Sequence, residues 1–115
     1  MTNNETDILA VKLVPGPNGA PLGKVIRVHD VNKAIEKNVT SNFEEAATRS
    51  VDVAFDLPVN FSLGSTGRVI DFANVYFIGP VMIFGKDHDG RVQSLSRAEI
   101  HAIAYFCASF RYSEE

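Results

Sequence analysis

Acids, imidazoles and phenols are the side chains of this 115-residue chain that can do chemistry, and three groupings of them stand out. The first is Asp87-His88-Asp89-Gly90, whose composition is that of a cation site. A calcium loop of the EF-hand type needs an oxygen ligand where Gly85 stands and an acid where Ser96 stands, so the match fails. Asp89-Gly90 between apolar runs reads instead as a hairpin tip. The second is Asp71, an acid inside the apolar stretch 69–78. Burial of a carboxylate there is costly unless it is paired, with Arg68 or Arg91 as the available cations. Asp71, with Tyr76 and His101, is the weak catalytic candidate set. The third is His101, Tyr105 and Tyr112, which fall on one side of an expected C-terminal helix.

Other constellations fail on spacing. His29, His88 and His101 show no metal-ligand separation, and no metal is expected. Asp52 and Asp56 share the wet parity of a strand about 13 Å apart, too far to act on one bond, and read as solubilising an edge face. Cys107 sits among apolar helix neighbours and reads as an inert buried thiol. His101, six residues away on another face, cannot activate it. Gly64-Ser65-Thr66-Gly67 lacks the lysine and following helix of a phosphate cradle. No cofactor is expected.

The elements that must position these residues are legible from periodicity. From Val51 to Leu63 every second residue is apolar, with Asp52, Ala54, Asp56, Pro58, Asn60 and Ser62 between them, the pattern of a half-buried strand. Proline cannot donate to a ladder, so Pro58 implies an edge strand or two strands joined by a bend at Leu57-Pro58. Ile8–Val14 and Lys24–His29 form an expected hairpin with a long, stiff tip over 15–21, either a plain connection or a contact loop. Asp30 is placed to cap a short helix at 31–38, and Ser41-Asn42-Phe43-Glu44 fits a capping box for a second at 42–48. Arg68–Ile78 is apolar on both parities and reads as a central strand. Val81–Lys86 and Arg91–Leu95 flank the Asp87–Gly90 tip. Ser96-Arg97-Ala98-Glu99 is a capping box, with Leu95 placed to staple onto Ile100, opening a helix expected from Arg97 to Phe110. That helix is apolar nearly all round, so either the sheet wraps it or its far side meets another chain.

These elements define an expected α+β domain over 1–115 with a tail at 1–6. An antiparallel sheet of about five to seven strands packs on the long C-terminal helix, with short helices inserted after the second strand. The alternative is a curled sheet or β-sandwich with a flanking helix.

Bulk composition narrows the function classes. An apolar fraction of 45% supports a real core, and the formal charge of −3 comes from 11 basic and 14 acidic residues with no basic stripe visible, against nucleic-acid binding. The lone cysteine excludes an intrachain disulfide. A polar, acidic N-terminus and broken apolar runs give neither signal peptide nor membrane span, so a cytoplasmic setting is expected. The sequons at Asn38 and Asn60 then read as unused. β-Stretch aromatics, among them Phe55, Phe61 and Phe84, fall mostly on core parities without interleaved basic residues, unlike a base-stacking sheet.

The reading is therefore a non-enzymatic interaction or assembly protein, self-associating or docking on another protein, of a size compatible with a viral or mobile-element accessory protein. Its expected contacts are His101, Tyr105, Tyr112, Pro17 and Asn18. The alternative is a small-ligand or enzymatic pocket in a curved sheet closed by the C-terminal helix, with polar groups from Asp71, His101 and Tyr76.

Overall fold

The computed structural model describes residues 7–31, 33–34, 47–52, 58–63, 68–72, 75–78 and 80–112. Outside them lie the expected tail 1–6, most of the helix 31–38, residues 42–46 of the second helix, Asp56, the Leu57 side of the bend and the turn 64–67. The fold is a small mixed α+β arrangement dominated by sheet, with one helix among the assigned elements.

The chain opens with β1 (Ile8–Pro15) and β2 (Pro21–Val28), paired antiparallel along their whole length from Ile8↔Val28 to Pro15↔Pro21. His29 Nδ1 meets Asp7 Oδ1 at 2.8 Å across the open end of this hairpin. Asp30 behaves as a cap: its Oδ1 accepts from Lys33 N at 3.1 Å, and its carbonyl accepts from Ala34 N at 2.9 Å.

The long alternating stretch is two strands, β3 (Ala47–Asp52) and β4 (Pro58–Leu63), in register Val51↔Val59 and Ala47↔Leu63. Ala47 and Thr48 are therefore strand, not the end of a helix. β3 closes one side of the sheet, and Pro58, as the first residue of β4, loses only a terminal donor.

A second correction concerns 68–78. It is not a central strand but a separate two-stranded sheet, β5 (Val69–Phe72) and β6 (Val75–Ile78), in register Phe72↔Val75 and Val69↔Ile78. Only two residues join the strands, and a two-residue connection swaps parity. Ile70 and Phe72 are even, their buried counterpart Phe77 is odd, and all three face the core. The apparent coverage of both faces is a fold-back of one apolar face.

β7 (Val81–Lys86) is the axis of the main sheet. It pairs antiparallel with β4, with β1 and with the short β8 (Val92–Gln93). Residues 81–85 are all buried, the continuous apolar run of a strand covered on both faces. The helix α1 (Arg97–Tyr105) begins with the expected box: Glu99 N donates to Ser96 Oγ at 3.1 Å, and Ser96 N to Glu99 Oε1 at 2.8 Å.

The helix ends five residues earlier than its apolar pattern implies. Phe106 N and Cys107 N turn back to Ile103 O and Ala104 O, and Ala108 N leaves for Pro21 O at 2.8 Å. The chain then adds β9 (Ser109–Arg111) to β2, parallel, in register Gly23↔Phe110. The sheet is thus mixed, in the order β3-β4-β7-β1-β2-β9 with β8 beside β7. The free edge of β2 offers ladder bonds that compete with helix continuation. Gly23 leaves the space that Phe110 and Cys107 occupy, since a Cβ there would come within 2.8 Å of the Phe110 ring and 3.0 Å of Cys107 Sγ.

Two apolar clusters flank the sheet. The larger joins Val11, Leu13, Val25, Val81 and Ile83 to Ile70, Phe72 and Phe77 of the hairpin and to Leu95, Ile100 and Ile103 around the helix. The smaller, on Ala10, Ile26, Val28, Met82 and Phe84, receives Val31 and Ala34. Among the described residues no helix is long and apolar enough to cross a membrane.

Candidate functional site

The tip between β1 and β2 is ordered by its own backbone. Gly16 N donates to Ala20 O at 2.7 Å, Gly19 N to Gly16 O, and Ala20 N to Pro17 O, closing a short 3-10 turn over Pro17–Gly19. Asn18 sits at φ 61°, a left-handed position that asparagine tolerates better than most residues. Arg68, just before β5, donates from Nη2 to Pro15 O at 3.0 Å and ties the tip to the hairpin. Pro17 and Asn18 are both exposed.

Beside the tip lies the outer face of β5–β6. Val69 and Ile78 are about half exposed and Tyr76 is 73% exposed, although their strand neighbours Ile70, Phe72 and Phe77 are core. Asp71 is opposite Tyr76 in the register. Asn18, Gly19, Arg68, Val69, Asp71 and Tyr76 line a shallow cavity of about 470 Å³. Asp71 is therefore an exposed acid on the outer face, not a buried one.

His101 is elsewhere. It lines a second cavity, of about 380 Å³, with Arg97 and Ile100 of α1, Leu9 and Val25 of the sheet, and Tyr112. Tyr112 reaches it from beyond β9 and not along a helix, with ring centroids 6.0 Å apart. Asp71 and Tyr76 are thus brought together, while His101 lines a different cavity. Tyr105, 83% exposed, lies edge-on to Phe106 at 5.2 Å.

The remaining reactive groups have structural surroundings. Asp87 Oδ1 accepts from Asp89 N at 2.8 Å and Arg91 N at 2.9 Å. These backbone donors, Arg91 first, hold its carboxyl below its ordinary 3.8. His88 is exposed at the same tip, with its Nε2 3.6 Å from Asp89 Oδ2. Among the described residues no group of three His, Cys, Asp or Glu gathers to hold a metal.

Burial pushes the Cys107 thiol from 9.0 up to about 12. Its Sγ lies 3.5 Å from Ile103 O. Three pH units correspond to about a thousandfold less thiolate at pH 8, so alkylation of the folded protein is expected to be slower than that of the unfolded chain by about that factor. A raised folded value also fixes a sign. Its stabilising contribution is complete below pH 9 and is lost as pH climbs towards 12, because the unfolded thiol ionises first. A urea-melt series from pH 8 to 11, compared with Cys107→Ala, reads this directly: the wild-type chain loses stability with pH faster than the variant.

The chain matches no family model, no curated protein and no solved structure. Its own geometry then carries the functional reading. Around the tip that geometry offers a carboxylate, a phenol, an amide, a guanidinium and two aliphatic side chains on a firm base, with no nucleophile–base pair among the described residues there. Val69 and Ile78 escape a reading by sequence because their parity is apolar, and only the fold-back turns them outward.

Proposed function

We propose that this chain is a non-enzymatic interaction module, self-associating or docking on another protein, whose contact surface is the Pro17–Asn18 tip and the outer face of β5–β6. The observation that supports this most is the apolar outer face itself. Three of the large hydrophobic residues exposed in the structure, Val69, Tyr76 and Ile78, belong to the one β5–β6 hairpin. Grouped exposure of this kind marks contact surfaces, whereas scattered exposure does not. The tip beside it is held by four hydrogen bonds, so little ordering entropy is lost when it is covered.

A light-scattering concentration series on a Val69→Ser/Tyr76→Ser double variant checks the reading. Self-association gives a mass above one protomer that the double variant lowers. A protomer mass throughout assigns the surface to a foreign protein. A photo-crosslinker replacing Tyr76 must then react with it more than one replacing exposed Gln93, and equal yields would remove the proposal. Tyr105→Ala, measured alongside, separates the helix face from the hairpin face.

A second reading rests on the His101 cavity. Its apolar floor of Leu9, Val25 and Ile100 under a rim of Arg97, His101 and Tyr112 has the makeup of a small-ligand pocket between sheet and helix. Chemical-shift changes confined to these residues in a fragment screen would support it.

A further inference from the structure

Lys12, Lys24 and Arg111 are far apart in the chain, yet the strand registers align them. Lys12 is the partner of Lys24 across β1 and β2, and Lys24 is the partner of Arg111 across β2 and β9. Directly opposed residues point to the same side of a sheet, so three cations form a row across three neighbouring strands. The row lies on the side away from Gly23 and Phe110, where Leu13 and Val25 enter the larger core. It lines a concavity of about 340 Å³ with Val14, Leu22 and Ser109. Lys24 and Arg111 are exposed and Lys12 is half-buried.

Like charges placed directly opposite destabilise a ladder. Here two successive pairings are like-charged, in a chain whose formal charge is −3. Lys24, in the middle of the row, has a cation as its register partner on either side. We infer that the β1–β2–β9 face is an anion site for a small oligophosphate, a molecule with two or more linked phosphates. Adjacent strands are about 4.8 Å apart, so the row presents positive charge along a line about 10 Å long, perpendicular to the strands. A chain of linked phosphates can lie along that line and meet more than one cation, which a single phosphate does less well. Arg111 adds the planar fork suited to phosphate oxygens, the lysines act as point charges, and the Ser109 hydroxyl supplies a neutral donor. Val14 and Leu22 give the concavity an apolar side, room for an organic body on the phosphates.

A nucleic-acid backbone fits less well. The row is three residues long, and none of the residues named in its concavity is an aromatic on which a base could stack.

The experiment uses the full chain at low ionic strength, with inorganic triphosphate as the probe, followed by thermal melts and amide chemical shifts. Triphosphate is expected to raise Tm by several degrees and to shift the amides of Lys12, Lys24 and Arg111, with orthophosphate much weaker. Lys24→Gln is expected to weaken binding about tenfold, and Lys24→Gln/Arg111→Gln to abolish it. Without ligand, Lys24→Gln is expected to melt no lower than the wild-type chain, since it removes a like-charge pairing. That control distinguishes loss of the site from loss of the fold. The inference is overturned if millimolar triphosphate leaves Tm and shifts unchanged, or if the double variant binds as well as the wild type. It is overturned equally if a short oligothymidylate binds tighter than triphosphate with the same variant sensitivity, because the row would then be a nucleic-acid contact.

Discussion

Phe72→Ala is expected to cost about 4 kcal/mol, out of a total stability of roughly 5–15 kcal/mol for a domain of this size. Phe72 is fully buried and lies where three units meet. Its ring contacts Phe77 of the same hairpin, with centroids 6.5 Å apart, and the edge of Phe106 at the helix end, at 5.8 Å. It also belongs to the cluster shared with Ile83 of the main sheet and Ile103 of the helix. The surroundings cannot collapse into the space easily, because β5 is held at Arg68 and the helix end is held at Pro21. Truncation therefore carries the cavity cost as well as the transfer cost. A fall in Tm of about 15–20 °C is expected, with faster amide exchange at Ile70 and Phe77. Tyr105→Ala, one step further along the same aromatic chain but exposed, should change stability by no more than about 0.5 kcal/mol. A Phe72→Ala cost below about 1 kcal/mol would mean that the hairpin does not rest on this ring.

How much of this was legible beforehand depends on sequence distance. The β1–β2 hairpin, the Asp87–Gly90 tip and the start of α1 each depend on residues within a few positions of one another. Alternation, Asp-Gly and Ser-x-x-Glu therefore specify them. Where α1 ends depends on a competitor. Nothing in Phe106-Cys107-Ala108 says that the edge of β2 waits beside it, eighty-odd residues earlier in the chain. The same limit hides the site. Asp71 looks buried because its neighbours on both sides are apolar, and only the swap of parity between Phe72 and Val75 turns it outward with Tyr76. Periodicity reports that a face is apolar; it does not report whether that face is inside. The Lys12–Lys24–Arg111 row is invisible for a related reason. Basic residues scattered singly along a chain make no stripe until register aligns them.

Gly85→Ala is expected to be the most damaging change of a single methyl group. Gly85 is buried in β7, pairing with Val59 on one side and Gln93 on the other. A Cβ there would meet Ser94 O at 2.6 Å and Gln93 O at 3.0 Å. Both are backbone atoms, and no rotamer change can move them. Nor is the segment free to withdraw. Ser94 Oγ accepts from Leu9 N at 2.9 Å, and Leu95 N donates to Leu9 O at 3.0 Å, so a retreat of Ser94 detaches the start of β1. Overpacking of this kind costs about 1–3 kcal/mol, and backbone contacts put it at the upper end. Stiffening the unfolded chain returns about 0.4–1 kcal/mol. The net loss is then about 2 kcal/mol, or roughly 10 °C in Tm. Gly90→Ala is the matched control. Gly90 has φ +83° with nothing near its missing Cβ, so its cost of about 1 kcal/mol is conformational and stays in the turn. Amide exchange at Leu95 separates the two mechanisms. It should accelerate in Gly85→Ala and stay unchanged in Gly90→Ala. Equal effects at Leu95 would mean that the Gln93–Leu95 segment is not held between Gly85 and Leu9 as tightly as these distances require.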